Sequence, residues 1–116
     1  MQSLKKSFTP CLVIDESKLS KNIQRIKSLV SKRKINFRPH LKTVKCKEIT
    51  KIFIDEFGSS AMVSTIEEIE QLKECGINDF LYSVAIVPNK LNRIAKSVSK
   101  NCEITVSVDH ISMAQE

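Results

Sequence analysis

The sequence predicts a parallel α/β fold, the first half of a (β/α)8 barrel, and three observations carry that prediction. Short apolar strands alternate with amphipathic helical stretches from end to end, with no hairpin signal between them. Strands separated by helices run parallel, since the chain must cross back before the next strand begins. Only two glycines are present, so neither GxGxxG nor GxxxxGK[ST], which often follow the first strand of an open doubly wound sheet, can be formed. The units recur every 20 to 26 residues, the pitch of βα modules, and no domain boundary or linker interrupts them. A closed barrel takes about 250 residues. The 116 residues here are therefore expected to form an incomplete barrel with raw sheet edges: a fragment, a truncated product, or a chain completed by another.

Thr9-Pro10 opens the apolar run Cys11-Leu12-Val13-Ile14, which reads as a buried strand. Asp15 or Ser17 caps the following helix. Its apolar face is Leu19, Ile23, Ile26 and Leu29/Val30, opposed by lysines and Arg25, and the basic stretch Ser31 to Lys34 ends it. Ile35 to Arg38 is the next strand candidate, stopped by Pro39. Ile49, Ile52, Phe53 and Phe57 mark a second helix, with Gly58 as its stop. Ala61-Met62-Val63 is a strand. Ser64 with Glu67, or Thr65 with Glu68, then forms a capping box ahead of Ile66, Ile69 and Leu72, and Gly76 closes that helix. Asp79 to Ser83 is a strand, and Pro88 suits the first turn of a helix carrying Leu91, Ile94, Ala95 and Val98. Glu103 to Val108 alternates Ile104, Val106 and Val108 as a last strand, and Asp109 is placed to cap one more helix.

Composition narrows the function classes. Hydrophobic residues make up 41%, enough for a core. The net charge is +6, and Lys32 to Lys47 holds seven Lys and Arg with no acidic residue. Such a run is most simply a solvated surface, and a polyanion-binding module is the reading it would otherwise support. With five Phe, one Tyr and no Trp, stacking platforms for single strands are poor, and no nucleic-acid partner is expected. Cys11, Cys46, Cys75 and Cys102 contain no CxxC pair, and neither His40 nor His110 stands at finger spacing from them. They read as reduced thiols. No apolar run approaches the roughly 20 residues of a membrane helix, and Met1 to Ser7 lack the apolar stretch of a secretory signal, so a soluble cytoplasmic protein without a membrane partner is expected.

The segment Phe37-Arg38-Pro39-His40-Leu41-Lys42-Thr43-Val44-Lys45-Cys46 carries the chemistry. It follows the first barrel strand and so belongs at the C-terminal mouth, where active sites of this fold collect. A lysine that is partly desolvated and faces other cations is primed for Schiff-base chemistry, and Arg38, His40 and Lys45 are near in sequence. Residue types alone leave any one lysine a solvated surface group, and His40 alone a hydrogen-bonded surface histidine. Glu67, Glu68 and Glu70 read as a solvated patch, Tyr82 as a strand-end residue that could approach a cofactor, His110 as a surface residue and Asp109 as a cap.

Arg38-Pro39-His40-Leu41-Lys42-Thr43, followed by Lys45-Cys46, closely resembles the RPHxKT motif of the D-threonine aldolase and D-serine dehydratase family, fold-type III pyridoxal-phosphate enzymes built like alanine racemase. The resemblance covers nearly the whole chain. Thr9 to Asp15 resembles the opening TPxLVxD strand, Leu19 to Ile23 the first helix and Met62 to Glu68 the VSTxxE segment. Gly76 to Tyr82 resembles GIxDILY, and Thr105 to Asp109 resembles the fourth-strand TVLVD. Many relatives carry histidine where Val44 stands. The resemblance implies that residues 1–116 are the N-terminal part of an alanine-racemase-like barrel, with residues 9–15 a strand that normally joins a C-terminal β domain. It implies that Lys42 is the catalytic residue and forms the internal aldimine with pyridoxal 5'-phosphate, that His40 sits beside the cofactor and that Arg38 lines the strand end. The substrate implied is a small D-amino acid, the reaction a lyase reaction, with an amino-acid racemase or a non-catalytic pyridoxal-phosphate binder as alternatives. A divalent metal, zinc or manganese, and a homodimer are implied for a full-length relative only. Alone, the chain is expected to be inactive, and its standing as an enzyme is left open.

Overall fold

The computed structural model describes residues 7–115 and divides between Ile35 and Asn36 into two compact units. The first unit contains α1 (Glu16–Arg33). Asp15 is its N-cap: the carboxylate accepts from the Lys18 amide at 3.0 Å and from the Ser17 hydroxyl at 2.9 Å. Both bonds hold the Asp15 carboxyl below its usual pKa, the Lys18 amide most. Lys34 ends the helix in the left-handed region, φ 52°, while its amide donates to Ser31 and Val30 carbonyls. Ile23 is the buried residue of the helix.

The expected strand at Cys11–Ile14 does not form. The segment carries no strand pairing, Leu12 is fully exposed, and Val13 and Ile14 are more than half exposed. An apolar run marks a strand only when a neighbouring strand can accept its amides, and no described residue pairs with this one.

The second unit is built on β1 (Ser60–Val63), β2 (Asp79–Ala85) and β3 (Glu103–Ser107), a parallel sheet in sequence order. Ala61 lies opposite Phe80, which lies opposite Ile104; Val63 lies opposite Tyr82, which lies opposite Val106. Three helices connect or precede the strands: α2 (Lys47–Phe57), α3 (Ile66–Lys73) and α4 (Pro88–Ser97). A short 3-10 turn at Ile111–Ala114 follows β3. Its N-cap is His110, whose Nδ1 accepts from the Ser112 amide at 3.2 Å, rather than the expected Asp109.

A fourth strand was expected at Ile35–Arg38. The structure places the pairing later and reduces it to one bridge. His40 lies opposite Met62, with the Met62 amide donating to the Pro39 carbonyl at 2.8 Å and the Leu41 amide to the Met62 carbonyl at 3.1 Å. Pro39 offers a carbonyl but no amide, so it joins the ladder as an acceptor where it was expected to end it.

Period-two alternation sorts the sheet residues. Ala61, Val63, Phe80 and Tyr82 are completely buried, and join Leu41, Ile66, Ile69, Ile77, Ile86, Ile94 and Cys102 in one core. The intervening residues Met62, Asp79, Leu81 and Ser83 are half-buried, and Thr105 is exposed. They form the open face of the sheet, the side that would be a barrel interior.

The helix ends follow from local chemistry. Thr65 and Glu68 form the capping box of α3: the Thr65 hydroxyl accepts from the Glu68 amide at 3.1 Å, and Glu68 Oε2 accepts from the Thr65 amide at 3.3 Å. Gly58 ends α2 at φ 88°, a conformation that costs other residues dearly. Glu67 and Glu70 are not merely solvated. Arg93 of α4 reaches Glu70 by Nε at 3.0 Å and Nη2 at 2.7 Å, and Glu67 by Nη1 at 2.5 Å, tying α4 to α3. The Arg93 pKa is raised by these partners, Glu70 most. Among the described residues no helix is long and apolar enough to cross a membrane.

Candidate active site

The open face carries two polar groupings, one at each end of the strands. At the N-terminal ends, Arg38 Nη2 lies 2.7 Å and 2.5 Å from the two carboxylate oxygens of Asp79, the first residue of β2. At the C-terminal ends, His40 is surrounded by Ser64, which follows β1, and by Ser83 near the end of β2. The His40 Nε2 lies 3.3 Å from Ser64 Oγ and 3.4 Å from Ser83 Oγ. The Ser83 hydroxyl also donates to the Val63 carbonyl at 2.9 Å. On the other side of the ring, Nδ1 accepts from the Lys42 amide at 3.3 Å.

Lys42 opens the turn Lys42–Val44 directly after the bridge and is exposed. The Val44 amide closes the turn on the Leu41 carbonyl at 3.1 Å. Lys45 then takes a left-handed conformation, φ 43°, before Cys46 caps α2. The buried Leu41 on one side and half-buried Val44 on the other anchor the turn in the core, with Lys42 between them. Glu68 stands near the group: its Oε2 accepts from the Ser64 amide at 2.7 Å.

His40 is held below the ordinary histidine pKa, first by burial and then by the charge of Lys42, with Glu68 pulling the other way. The ring is therefore neutral at neutral pH. The consequence for stability has a definite sign. The unfolded chain takes up the proton before the folded one, so stability falls as pH drops below the unfolded value of about 6.5 and through the folded pKa. Above that window this contribution is flat. Urea midpoints at pH 7.5 and 5.5 check it: the loss on acidification is expected to shrink in His40→Gln.

Sequence reasoning named Arg38, His40 and Lys42. The structure brings His40 and Lys42 together and sets Arg38 two residues before the His40 bridge, where it pairs with both carboxylate oxygens of Asp79. Tyr82, weighed as a strand-end neighbour of a cofactor, is instead completely buried on the core face, where its hydroxyl accepts from Lys90 Nζ at 2.9 Å. Ser64, Ser83 and Glu68 were missed as neighbours of His40. The signal was the alternation itself, since Ser83 shares a face with Leu81 and Met62, opposite to Phe80 and Tyr82. Among the described residues no group of three or more His, Cys, Asp or Glu could hold a metal ion.

A sheet of parallel βα units in sequence order is an α/β fold, and it matches one part of alanine-racemase-like structures. An alanine-racemase-like protein from Idiomarina loihiensis superposes with a TM-score of 0.83 at 36% identity, over 95% of this chain and 30% of that one. The D-threo-3-hydroxyaspartate dehydratase of Delftia sp. HT23 superposes with a TM-score of 0.92 at 30% identity, over 99% of this chain and 30% of its own. By sequence it is 31% identical over 107 residues, 92% of this chain and 28% of the dehydratase. D-threonine aldolase from Filomicrobium marinum gives a TM-score of 0.86 at 25% identity, over 97% of this chain and 30% of the aldolase. The chain is a homologue of these dehydratases and aldolases. It spans under a third of their length, and no family model matches it.

Proposed function

We propose that the chain carries the cofactor-attachment segment of a pyridoxal-phosphate lyase acting on D-amino acids of the 3-hydroxyaspartate and threonine kind. Lys42 Nζ is the attachment point. The observation that carries this reading is the exposed Lys42 on an anchored turn at the strand ends, its amide bonded to a neutral His40. The names of the homologues supply the substrate class: a dehydratase of D-threo-3-hydroxyaspartate and an aldolase of D-threonine.

The residues present fit the cofactor. An amine that must meet an aldehyde has to be reachable, and Lys42 is exposed. The adjacent imidazole is held below the ordinary histidine pKa and so adds no cation beside the amine at neutral pH. Bound pyridoxal phosphate supplies an electron sink for charge at the substrate α-carbon. With the cofactor held there, the Lys42 amine would be the group to hold a proton beside the substrate α-carbon. Arg38 and Asp79 pair with each other at the far end of the open face and take a supporting part. A divalent metal, zinc or manganese, belongs to longer relatives; a mutant D-threo-3-hydroxyaspartate dehydratase was solved in a metal-free form. Cytoplasmic location, homodimer formation in a longer form and lack of turnover by these 116 residues complete the proposal. A racemase of the same barrel type is the second reading, favoured by the 36% identity to the alanine-racemase-like protein.

The test is borohydride reduction of the chain in limiting pyridoxal phosphate, followed by peptide mapping. Lys42 is expected to carry most of the reduced adduct, and Lys42→Ala to lose it. Label spread over exposed lysines with no preference for position 42 would end the proposal. On the 116 residues alone, D-threo-3-hydroxyaspartate, D-threonine and alanine are expected to show no turnover above the Lys42→Ala blank; turnover of either D-amino acid would overturn the expected inactivity in favour of a lyase, and turnover of alanine in favour of a racemase.

A further inference from the structure

The hydroxyl of Ser83 differs from that of Ser64 in one respect that decides the state of His40. Its proton is committed to the Val63 carbonyl at 2.9 Å, so toward the ring, 3.4 Å away, Ser83 Oγ can only accept. On the opposite edge the Lys42 amide, a donor, faces Nδ1 at 3.3 Å. A neutral imidazole has one N–H and one bare nitrogen. The tautomer with the proton on Nε2 satisfies both neighbours; the other places a bare Nε2 against an acceptor and an N–H against an N–H. Ser64 Oγ, 3.3 Å from Nε2, has a hydroxyl free to turn and suits either.

We propose that Ser83 is a positioning residue that fixes His40 as the Nε2–H tautomer, and that the bare Nδ1 thereby holds the Lys42 amide and the turn that presents the lysine. This deepens the cofactor reading and rests on it for its purpose, although the tautomer lock itself needs no cofactor. The groups facing the ring are Lys42 on its own loop, Glu68 and Ser64 from the start of α3, and Ser83 from β2. The lock connects β2 to the Lys42 turn through one ring, so a change at residue 83 is felt at residue 42.

The experiment is 15N NMR of the histidine ring nitrogens on the 116-residue chain without cofactor, at pH 7.5. A single Nε2–H tautomer is expected for His40. In Ser83→Ala the tautomer ratio should shift about fivefold toward Nδ1–H, the size of one ordinary net hydrogen bond, with a parallel shift of the Lys42 amide resonance. Ser83→Thr, which keeps the hydroxyl, should restore both. Ser107→Ala is the control: Ser107 makes the same kind of bond, to the Tyr82 carbonyl at 3.2 Å, away from the His40 ring. A ratio unmoved in Ser83→Ala, or moved equally in Ser107→Ala, would overturn the assignment. Failure of Lys42 labelling with the lock intact would instead sink the cofactor reading alone.

Discussion

Phe80→Ala is expected to cost about 3–5 kcal/mol of folding stability, the range for emptying a large aromatic site in a packed core. Phe80 has no exposed surface and stands in the central strand between Ala61 and Ile104. Ala61 is too small to fill the space from one side, and the backbone ladders on both sides of β2 resist collapse, so most of the cavity should persist. Against a total of about 5–15 kcal/mol for an ordinary domain, that loss brings the chain near its unfolding threshold. Urea titration should show a lower midpoint with an unchanged slope. Leu81→Ala, one residue along on the open face, should cost well under half as much; equal losses would mean that the open face is covered in solution.

Asp79→Ala is expected to cost about 1–2 kcal/mol, more than an ordinary surface ion pair and less than a fully buried one. The Arg38 and Asp79 side chains keep 32% and 36% of their exposure, which places the pair between those limits. Both bonds come from a single guanidinium nitrogen to the two carboxylate oxygens. The geometry joins the segment before the His40 bridge to the start of β2, so its loss should fray the pairing at Pro39–Leu41. A double-mutant cycle with Arg38→Ala isolates the pair. A coupling of about 1 kcal/mol is expected, and a coupling near zero would assign the cost to Asp79 alone.

Much of this molecule was legible in its sequence where one local rule acts alone. The strands at residues 60–63, 79–85 and 103–107 stand close to their apolar alternations, and Thr65 with Glu68 forms the box their spacing announced. Gly58 and Gly76 end their segments with positive φ, as expected of glycine there. The failures occur where a partner decides. Cys11–Ile14 has strand composition and no strand beside it. Ile35–Arg38 looked like a ladder that Pro39 would stop, yet the bridge forms around Pro39 because Met62 donates to its carbonyl. Asp109 has the better capping chemistry, but His110 stands one residue nearer the turn. Of the site, the motif marked His40 and Lys42. What surrounds the imidazole depends on the register of β1 and β2, which the sequence does not display residue by residue.

The two faces of β2 live under different rules. Phe80 answers to packing, and Tyr82 to packing and to the Lys90 amine on its hydroxyl, so drift at those positions is limited by the core. Leu81 and Ser83 point to the other side, where a neighbour's tolerance is set by whatever chemistry is done there. A substitution survey from Asp79 to Ser83 would therefore rise and fall with every step, a sawtooth in which folding and function select alternate letters. The first five residues of one strand thus let the two pressures be read separately.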